Sequence, residues 1–200
     1  APYEEFGIQL GGQRRQLNTS ILQIENEYYN TIRPKQVAIS GELPTLALKR
    51  AGVAYVEIRS LDINPFAPVG ITEDLLRYMQ AFLLYCLLPP SPEIDDSENV
   101  EHIANHALVA HSGRAPALQL RRQGQDVLLS DWVAEIHAGV TAIAEWMDTG
   151  NGNMIAAIRS MDDVIADPEH SLSARVLREM REQGLPYHLY AMQQAREHAA

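Results

Sequence analysis

The sequence predicts an α+β protein in which antiparallel strands form the N-terminal third and the rest is mainly helical. Residues 1–70 contain short apolar runs rich in β-branched residues, separated by glycines and prolines, which is typical of strands joined by turns. Residues 71–200 repeat apolar side chains at helical spacing between capping residues. We place the domain boundary after the first predicted helix, which gives domains 1–88 and 89–200.

The individual elements follow from their end signals. In the first part, strands are predicted at 6–10, 17–24 and 53–58, with Gly11-Gly12 as a hairpin turn. In the second part, Thr72 caps a helix that ends at the Pro89-Pro90 pair. Further helices are predicted at 98–111 before Gly113, from the cap Ser130-Asp131 onward, at 154–166, at 172–183 before Gly184, and after Pro186.

Composition restricts the class of protein. Apolar residues make up 46% of the chain, enough for a core, and the net charge of -10 disfavours binding to nucleic acid or anionic membranes. No apolar run reaches the roughly 18 residues that a membrane span needs. The single cysteine, Cys86, excludes an internal disulfide, so we expect a cytoplasmic protein and a buried thiol. The start at Ala1, without methionine, indicates processing or a piece of a longer protein.

One predicted strand carries an acid and a base on the same face. Along 53–59, alternation points Ala54, Val56 and Ile58 to one side, and Glu57 and Arg59 to the other, about 7 Å apart. In an arbitrary sequence such a pair is more often an exposed strand face or a structural ion pair. The functional interpretation is a divalent cation on Glu57 and a phosphate on Arg59, which belong together in phosphoryl transfer.

The preceding segment, residues 16–35, is polar for its aliphatic content. Gln23, Glu25 and Glu27 alternate with Leu22, Ile24 and Asn26, which would give one face of amides and carboxylates. Arg33 and Lys35 stand beside a turn predicted at Pro34. A solvated edge strand is one interpretation and a substrate groove is the other. Elsewhere, His102 and His106 share a helix face but lack a third ligand, so we interpret them as solvated histidines.

Several long motifs in a fixed order resemble a known family. They are Gln16-Leu17-Asn18-Thr19, Leu22-Gln23-Ile24-Glu25-Asn26-Glu27 followed by Tyr29, Ile32-Arg33-Pro34-Lys35, Val56-Glu57-Ile58-Arg59-Ser60-Leu61-Asp62-Ile63-Asn64-Pro65-Phe66, and Ser171-Leu172-Ser173-Ala174-Arg175. Together they resemble the proteobacterial glutamate–cysteine ligases, which carry out the first step of glutathione biosynthesis. The resemblance is dense over residues 1–88 and thin over 89–170. It implies part of a glutamine-synthetase-like antiparallel sheet.

The resemblance also implies an activity and residue roles. ATP would phosphorylate the γ-carboxylate of glutamate, and the amine of cysteine would displace the phosphate. Glu57 would be a Mg²⁺ ligand, Arg59 would hold the transferring phosphoryl group, and Tyr29 would line the cysteine pocket. Arg33 and Lys35 would contact the phosphates of ATP. The cofactors implied are ATP and Mg²⁺.

Members of this family are much longer than 200 residues, so the resemblance implies that the N-terminal half of the enzyme is missing here. That half would carry most of the magnesium carboxylates, and a single carboxylate holds ATP-bound Mg²⁺ poorly. The isolated chain is therefore expected to be catalytically incomplete. The alternative is a non-catalytic binding or assembly module derived from such a ligase, which would pair through an exposed sheet surface.

Overall fold

The computed structural model describes residues 7–19, 24 and 29–199 of the chain. Contacts divide the chain into two compact units, Ala1–Asp62 and Ile63–Ala200. Antiparallel strands dominate the first unit and helices the second, so the α+β prediction is confirmed. The division into 1–88 and 89–200 stays a prediction. In the described residues no helix is long and apolar enough to cross a membrane.

The first unit opens with a two-residue hairpin. Strands β1 (Gln9–Leu10) and β2 (Gln13–Arg14) are antiparallel, and Leu10 pairs with Gln13 across Gly11 and Gly12. Both glycines have positive φ, at 60° and 80°, which the mirror-image turns of tight hairpins require. The predicted Gly-Gly turn is therefore confirmed. The strand predicted at 17–24 is bent at residues 17–19, and residues 20–23 lie outside the described ones.

The chain next forms a second antiparallel pair of strands, with a short helix between them in sequence. Strand β3 (Ile32–Lys35) pairs with β4 (Tyr55–Ile58), and helix α1 (Pro44–Ala51) lies between them in sequence. The prediction of a turn at Pro34 is wrong, because this residue lies inside β3 and pairs with Val56. A proline fits an outer strand because it has no N–H to donate. Helix α1 was not predicted.

The second unit is built around three helices. Its α-helices are α2 (Glu73–Leu87), α3 (Asp96–Ser112), α4 (Leu129–Met147), α5 (Asn153–Arg159), α6 (Asp162–Ala166), α7 (Leu172–Gln183) and α8 (Tyr187–Ala199), with a 3₁₀ turn at Pro168–His170. Helices α2, α4 and α5 pack together around Ala81, Val140, Ala144 and Ile158. The predicted caps Thr72, Gly113 and Gly184 lie at helix ends, and the Thr72 hydroxyl accepts from Leu75 N–H at 3.2 Å.

A hairpin interrupts the region that was predicted to be helical. Strands β5 (Gln119–Arg122) and β6 (Gln125–Leu128) pair with each other. Asn105 of α3 is buried, donates to Arg121 O at 2.6 Å and accepts from Arg121 N–H at 2.9 Å, which joins the helix to the hairpin. Because β6 leads directly into α4, Leu128 precedes that helix, and the predicted cap Ser130-Asp131 is wrong.

Three further predictions for the second unit are wrong. The helix predicted at 154–166 is two helices, α5 and α6, separated at residues 160–161. Trp146, expected in the core, is 78% exposed. Cys86, expected to be buried, is exposed, because the residues of α2 that join the core end at Tyr85.

Residues 63–70, between β4 and α2, form a closed loop that belongs to the second unit. Asn64 N–H donates to Gly70 O at 2.8 Å, which ties the two ends of the loop together. The Arg175 guanidinium of α7 stacks 3.5 Å from the centroid of the Phe66 ring, and His198 Nε2 of α8 donates to Pro65 O at 2.8 Å. The C-terminal helices therefore hold this loop at two points.

Candidate functional site

One face of the β3–β4 pair collects charged side chains. Arg33 lies directly opposite Glu57, and Lys35 lies opposite Tyr55. Directly opposed residues of an antiparallel pair project from the same side, and alternation adds Arg59 to that side. We call this set, Arg33, Lys35, Tyr55, Glu57 and Arg59, the charged face. Backbone bonding continues past β4, where Arg59 N–H donates to Thr31 O at 2.8 Å, so Arg59 stays extended.

Glu57 is the centre of the charged face. Its Oε1 accepts from Arg59 Nε at 2.9 Å, and its Oε2 lies 2.9 Å from Lys35 Nζ. The Oε2 atom is covered from solvent, and the Lys35 ammonium is its close ionic partner. The Lys35 ammonium and then the Arg59 guanidinium lower the pKa of Glu57 to about 2. The carboxylate is therefore anionic at neutral pH.

Arg59 has a second contact, with Tyr29. Its guanidinium carbon lies 4.6 Å from the centroid of the Tyr29 ring, a cation–π distance. The hydrogen bond to Glu57 is the largest cause that raises the pKa of Arg59 above its ordinary value. Tyr29 itself is 77% exposed, so Arg59 covers only part of its surface. The pair fixes the direction of the guanidinium and leaves room beside the tyrosine for another group.

Arg33 is the third cation of the charged face, and it has no acidic ion-pair partner among the described residues. It lies across from Glu57, but within the described residues its side chain forms no ion pair. Three cations and one carboxylate therefore meet on a chain whose net charge is -10. A local excess of guanidinium and ammonium groups beside an aromatic ring suits phosphate oxygens, which accept charge-assisted hydrogen bonds from such donors.

The fit of a metal ion to this face is partial. Glu57 is an anionic carboxylate, which suits a divalent cation, but both of its oxygens are already paired, with Lys35 and with Arg59. Across the described ranges, no group of three or more His, Cys, Asp or Glu side chains is placed to hold a metal. Mg²⁺ prefers about six oxygen ligands, so Glu57 can supply one ligand and the others have to come from elsewhere.

The opposite face of the β3–β4 pair is apolar. Ile32 pairs with Ile58, and Pro34 pairs with Val56. Ile32 is 45% exposed and Val56 is 41% exposed, so in this chain the face is only partly covered. Sequence alternation correctly separated the polar side of β4 from its apolar side. In the described part of the chain β3 and β4 pair only with each other, which leaves their outer edges open.

The other features considered in the sequence do not form a site. His102 lies 3.7 Å from Glu98 Oε1, and no His102–His106 metal site is present among the described residues.

A cavity of about 870 Å³ lies in the second unit, between the end of α3 and the start of α7. Its charged wall residue Arg114 is paired with Glu169 at 3.3 Å, and no predicted site residue lines it.

The family model described as glutamate-cysteine ligase matches residues 1–109, which include the whole charged face. The chain belongs to the glutamate–cysteine ligase family. It is 45% identical over 199 residues to a glutamate–cysteine ligase of Pseudomonas paraeruginosa, and 43% identical over 201 residues to that of Azotobacter vinelandii. The alignments cover 98% and 100% of this chain but 38% of each relative, so the chain spans about two fifths of their length.

A comparison with a solved structure matches about the same share of each chain. The crystal structure of a glutamate–cysteine ligase from Francisella tularensis in complex with AMP matches with a TM-score of 0.83 and 34% identity. The match covers 98% of this chain and 39% of that one. The fold is therefore that of a ligase segment, and the charged face lies inside the family region.

Proposed function

We propose that this chain is the C-terminal part of an ATP-dependent ligase that joins the γ-carboxylate of glutamate to the amine of cysteine. The reaction would pass through a γ-glutamyl phosphate and form γ-glutamylcysteine, the first step of glutathione biosynthesis, in the cytoplasm. The observation that carries the proposal is the charged face, with three cations around Glu57, inside the segment that matches the family. The AMP bound to the Francisella ligase supports a nucleotide as the ligand.

The cations of the face take the roles of phosphate ligands in this proposal. Arg59 holds the transferring phosphoryl group, because Glu57 and Tyr29 fix its guanidinium in one direction. Arg33 and Lys35 contact the other phosphates of ATP from the neighbouring strand. Tyr29 lines the pocket for cysteine with the part of its surface that Arg59 leaves open. The remaining walls belong to the N-terminal part of the enzyme.

Glu57 is proposed as a ligand of Mg²⁺, and the metal would neutralise charge on the nucleotide phosphates. Its low pKa keeps the carboxylate ionised at every physiological pH. Because the described residues contain no group of three or more His, Cys, Asp or Glu side chains placed to hold a metal, the other carboxylates would come from the N-terminal part. The proposal therefore predicts a chain that is inactive alone and active in the intact polypeptide.

The test measures phosphate release by the intact polypeptide that contains this segment, with ATP, Mg²⁺, glutamate and cysteine. Replacing Arg59 by Met removes a charge aimed at the phosphoryl group, and we expect kcat to fall by about 10²-fold or more. The control is Arg159→Met, which removes an exposed arginine at the end of α5 that forms no ion pair with the described residues. Full-length protein without phosphate release, or an Arg59→Met variant with unchanged kcat, would contradict the proposal.

The alternative, a non-catalytic assembly module, also draws on an observation. The apolar side of the β3–β4 pair and its open edges are suited to contact with another polypeptide. An enzyme segment needs the same surface to join its N-terminal part, so exposure alone does not separate the two. Catalysis by the complemented protein separates them, because a module predicts association without turnover.

A further inference from the structure

We propose that two copies of this chain pair through the solvent-facing side of α3, with the two helices antiparallel. The inference does not depend on the proposed ligase activity, and it adds a partner that this activity does not require. The observations that carry it are an exposed apolar stripe on α3 and the order of side-chain sizes and charges along it. That order is complementary to itself when the helix is reversed.

Helix α3 is attached to the rest of the second unit along one side. In α3, whose residues 96–112 are all described, only Asn105 is buried, and its side chain joins the helix to Arg121 of β5. Glu101, one turn earlier on the same side, accepts from Gly124 N–H at 2.9 Å. Because these contacts lie on one side of a 17-residue helix, the opposite side of the helix faces solvent.

The side of α3 opposite Asn105 is apolar. We call it the α3 stripe, and it consists of Val100, Ile103, Ala107 and Ala110. Intervals of three, four and three residues place these side chains on one face of a helix. Val100 is 65% exposed and Ile103 is 63% exposed, and both alanines are exposed as well. Aliphatic side chains at this spacing are typical of a helix that packs against another helix.

Side-chain size changes along the α3 stripe. The N-terminal half presents branched side chains, and the C-terminal half presents alanines. When a second α3 runs antiparallel about a twofold axis at the level of Asn105, Val100 faces Ala110 of the second copy. In the same arrangement Ile103 faces Ala107 of the second copy. Each large side chain then meets a small one, so the two helices approach closely without a gap between them.

The charges at the two ends of α3 favour the same direction. Asp96 lies in the first turn, and Arg114 follows Gly113 at the C-terminal end. In the antiparallel pair, Asp96 lies at the level of Arg114 of the second copy, and the twofold axis repeats this contact at the other end. Arg114 also pairs with Glu169 at 3.3 Å, but its side chain is 36% exposed and its planar fork can serve a second carboxylate.

A parallel pair loses both matches. In register, it places Ile103 against Ile103 and Ala107 against Ala107, which crowds one part of the contact and leaves a gap in the other. It also brings Asp96 against Asp96, where like charges repel. An antiparallel pair has a twofold axis, the commonest symmetry of homodimers, in which the same surface contacts itself. Size and charge along α3 therefore select an antiparallel second copy.

The length of the α3 stripe predicts a weak dimer. From Val100 to Ala110 the stripe is about 15 Å long, at about 1.5 Å per residue. A standard protein interface buries about 800 Å² on each partner, and a contact between two single helices is smaller. We therefore expect a dissociation constant on the order of 10 to 100 µM.

The test is a size swap within the α3 stripe, with sedimentation equilibrium as the measurement. It uses the 200-residue chain and the intact polypeptide that contains it. Ile103→Ala removes a buried side chain at two symmetric positions, so the dissociation constant should rise about tenfold. Ala107→Ile places two isoleucines face to face and should weaken the dimer about as much. Combining both substitutions restores a large–small pair at each position, so the dissociation constant should return to within about threefold of the parent value.

A matched control separates the α3 stripe from other exposed apolar side chains. Ile39 is 63% exposed, as Ile103 is, but it lies between β3 and α1. Ile39→Ala should leave the dissociation constant unchanged. Circular dichroism checks that each variant is folded, and exchanging Val100 and Ala110 for each other provides a second swap if the first one does not fold.

Two kinds of result overturn the pairing. The first is a monomer in either protein at concentrations several times above the expected dissociation constant. A monomer of the intact polypeptide alone means that its N-terminal part covers the α3 stripe. The second is a dimer that Ile103→Ala does not weaken or that the combined swap does not restore, because such a dimer forms through another surface or in another direction. Ligase turnover is measured separately and decides the proposed function alone.

Discussion

Gly139, in the middle of α4, gives a sharp test of the packing in the second unit. A Cβ added there would lie 2.7 Å from Cδ2 and 2.9 Å from Cζ of the Tyr85 ring, and closer still to Cε2. Tyr85 belongs to α2 and packs against the core around Val140. Only glycine therefore allows the two helices to approach this closely, and Gly139→Ala should destabilise the protein.

The expected magnitude combines two opposing effects. Alanine improves helix propensity over glycine by about 1 kcal/mol. Overpacking against a core ring costs about 1–3 kcal/mol. We take about 2 kcal/mol for the clash, so the net loss in the free energy of unfolding is about 1 kcal/mol, which lowers Tm by about 2–4 °C in a domain of this size. Urea unfolding followed by circular dichroism measures it.

The decisive comparison places the same substitution in a Tyr85→Ala background. Without the ring, the clash is absent and the helix propensity remains, so Gly139→Ala should there raise stability by about 1 kcal/mol. The sign of the effect thus reverses between the two backgrounds. A Gly139→Ala variant that is as stable as the parent, or destabilised equally in both backgrounds, would refute the role of the ring contact.

Three further predictions test contacts elsewhere. Asn105→Ala should lower the free energy of unfolding by about 2 kcal/mol, measured by urea unfolding, because both main-chain groups of Arg121 lose their buried partner. Asn99→Ala, at an exposed position of the same helix, should change it little. The Glu57 carboxyl, followed by NMR, should titrate at about 2. Its contribution to stability is therefore complete above its ordinary pKa of about 4.5 and is lost as pH falls toward 2. Lys35→Met should raise the pKa of Glu57, and an unchanged pKa would contradict the ion pair. Arg175→Met combined with His198→Ala should speed amide hydrogen exchange at Asn64 and Gly70 more than at Ala81 in the core, and equal rates would show that the helices do not hold the loop.

Local signals in the sequence were sufficient for much of the fold. Thr72, Gly113 and Gly184 marked helix ends because caps act over one turn and need no distant partner. The Gly11-Gly12 turn was equally local. In each case the residue type determines the backbone geometry within a few positions.

The elements that were missed depend on distant contacts or weak patterns. The β5–β6 hairpin turns at Gln123-Gly124, where a non-glycine residue takes a positive φ of 51°, so it lacks the usual Asn-Gly signal. Its polar strands are joined to α3 through Asn105, whose partner lies 16 residues away. Exposure was similarly hard to infer, since helical spacing alone did not separate Trp146 from its half-buried neighbour Met147.

The charged face shows the same division between local and distant information. Alternation within β4 predicted that Glu57 and Arg59 share a side, and the 2.9 Å hydrogen bond between them confirms that. Alternation could not predict Lys35, because its position beside Glu57 depends on the register of two strands separated by α1. That register alone converts a co-facial pair into a carboxylate held between two cations. It follows that any cation proposed for Glu57 has to compete with Lys35, whose ammonium already lies 2.9 Å from Oε2.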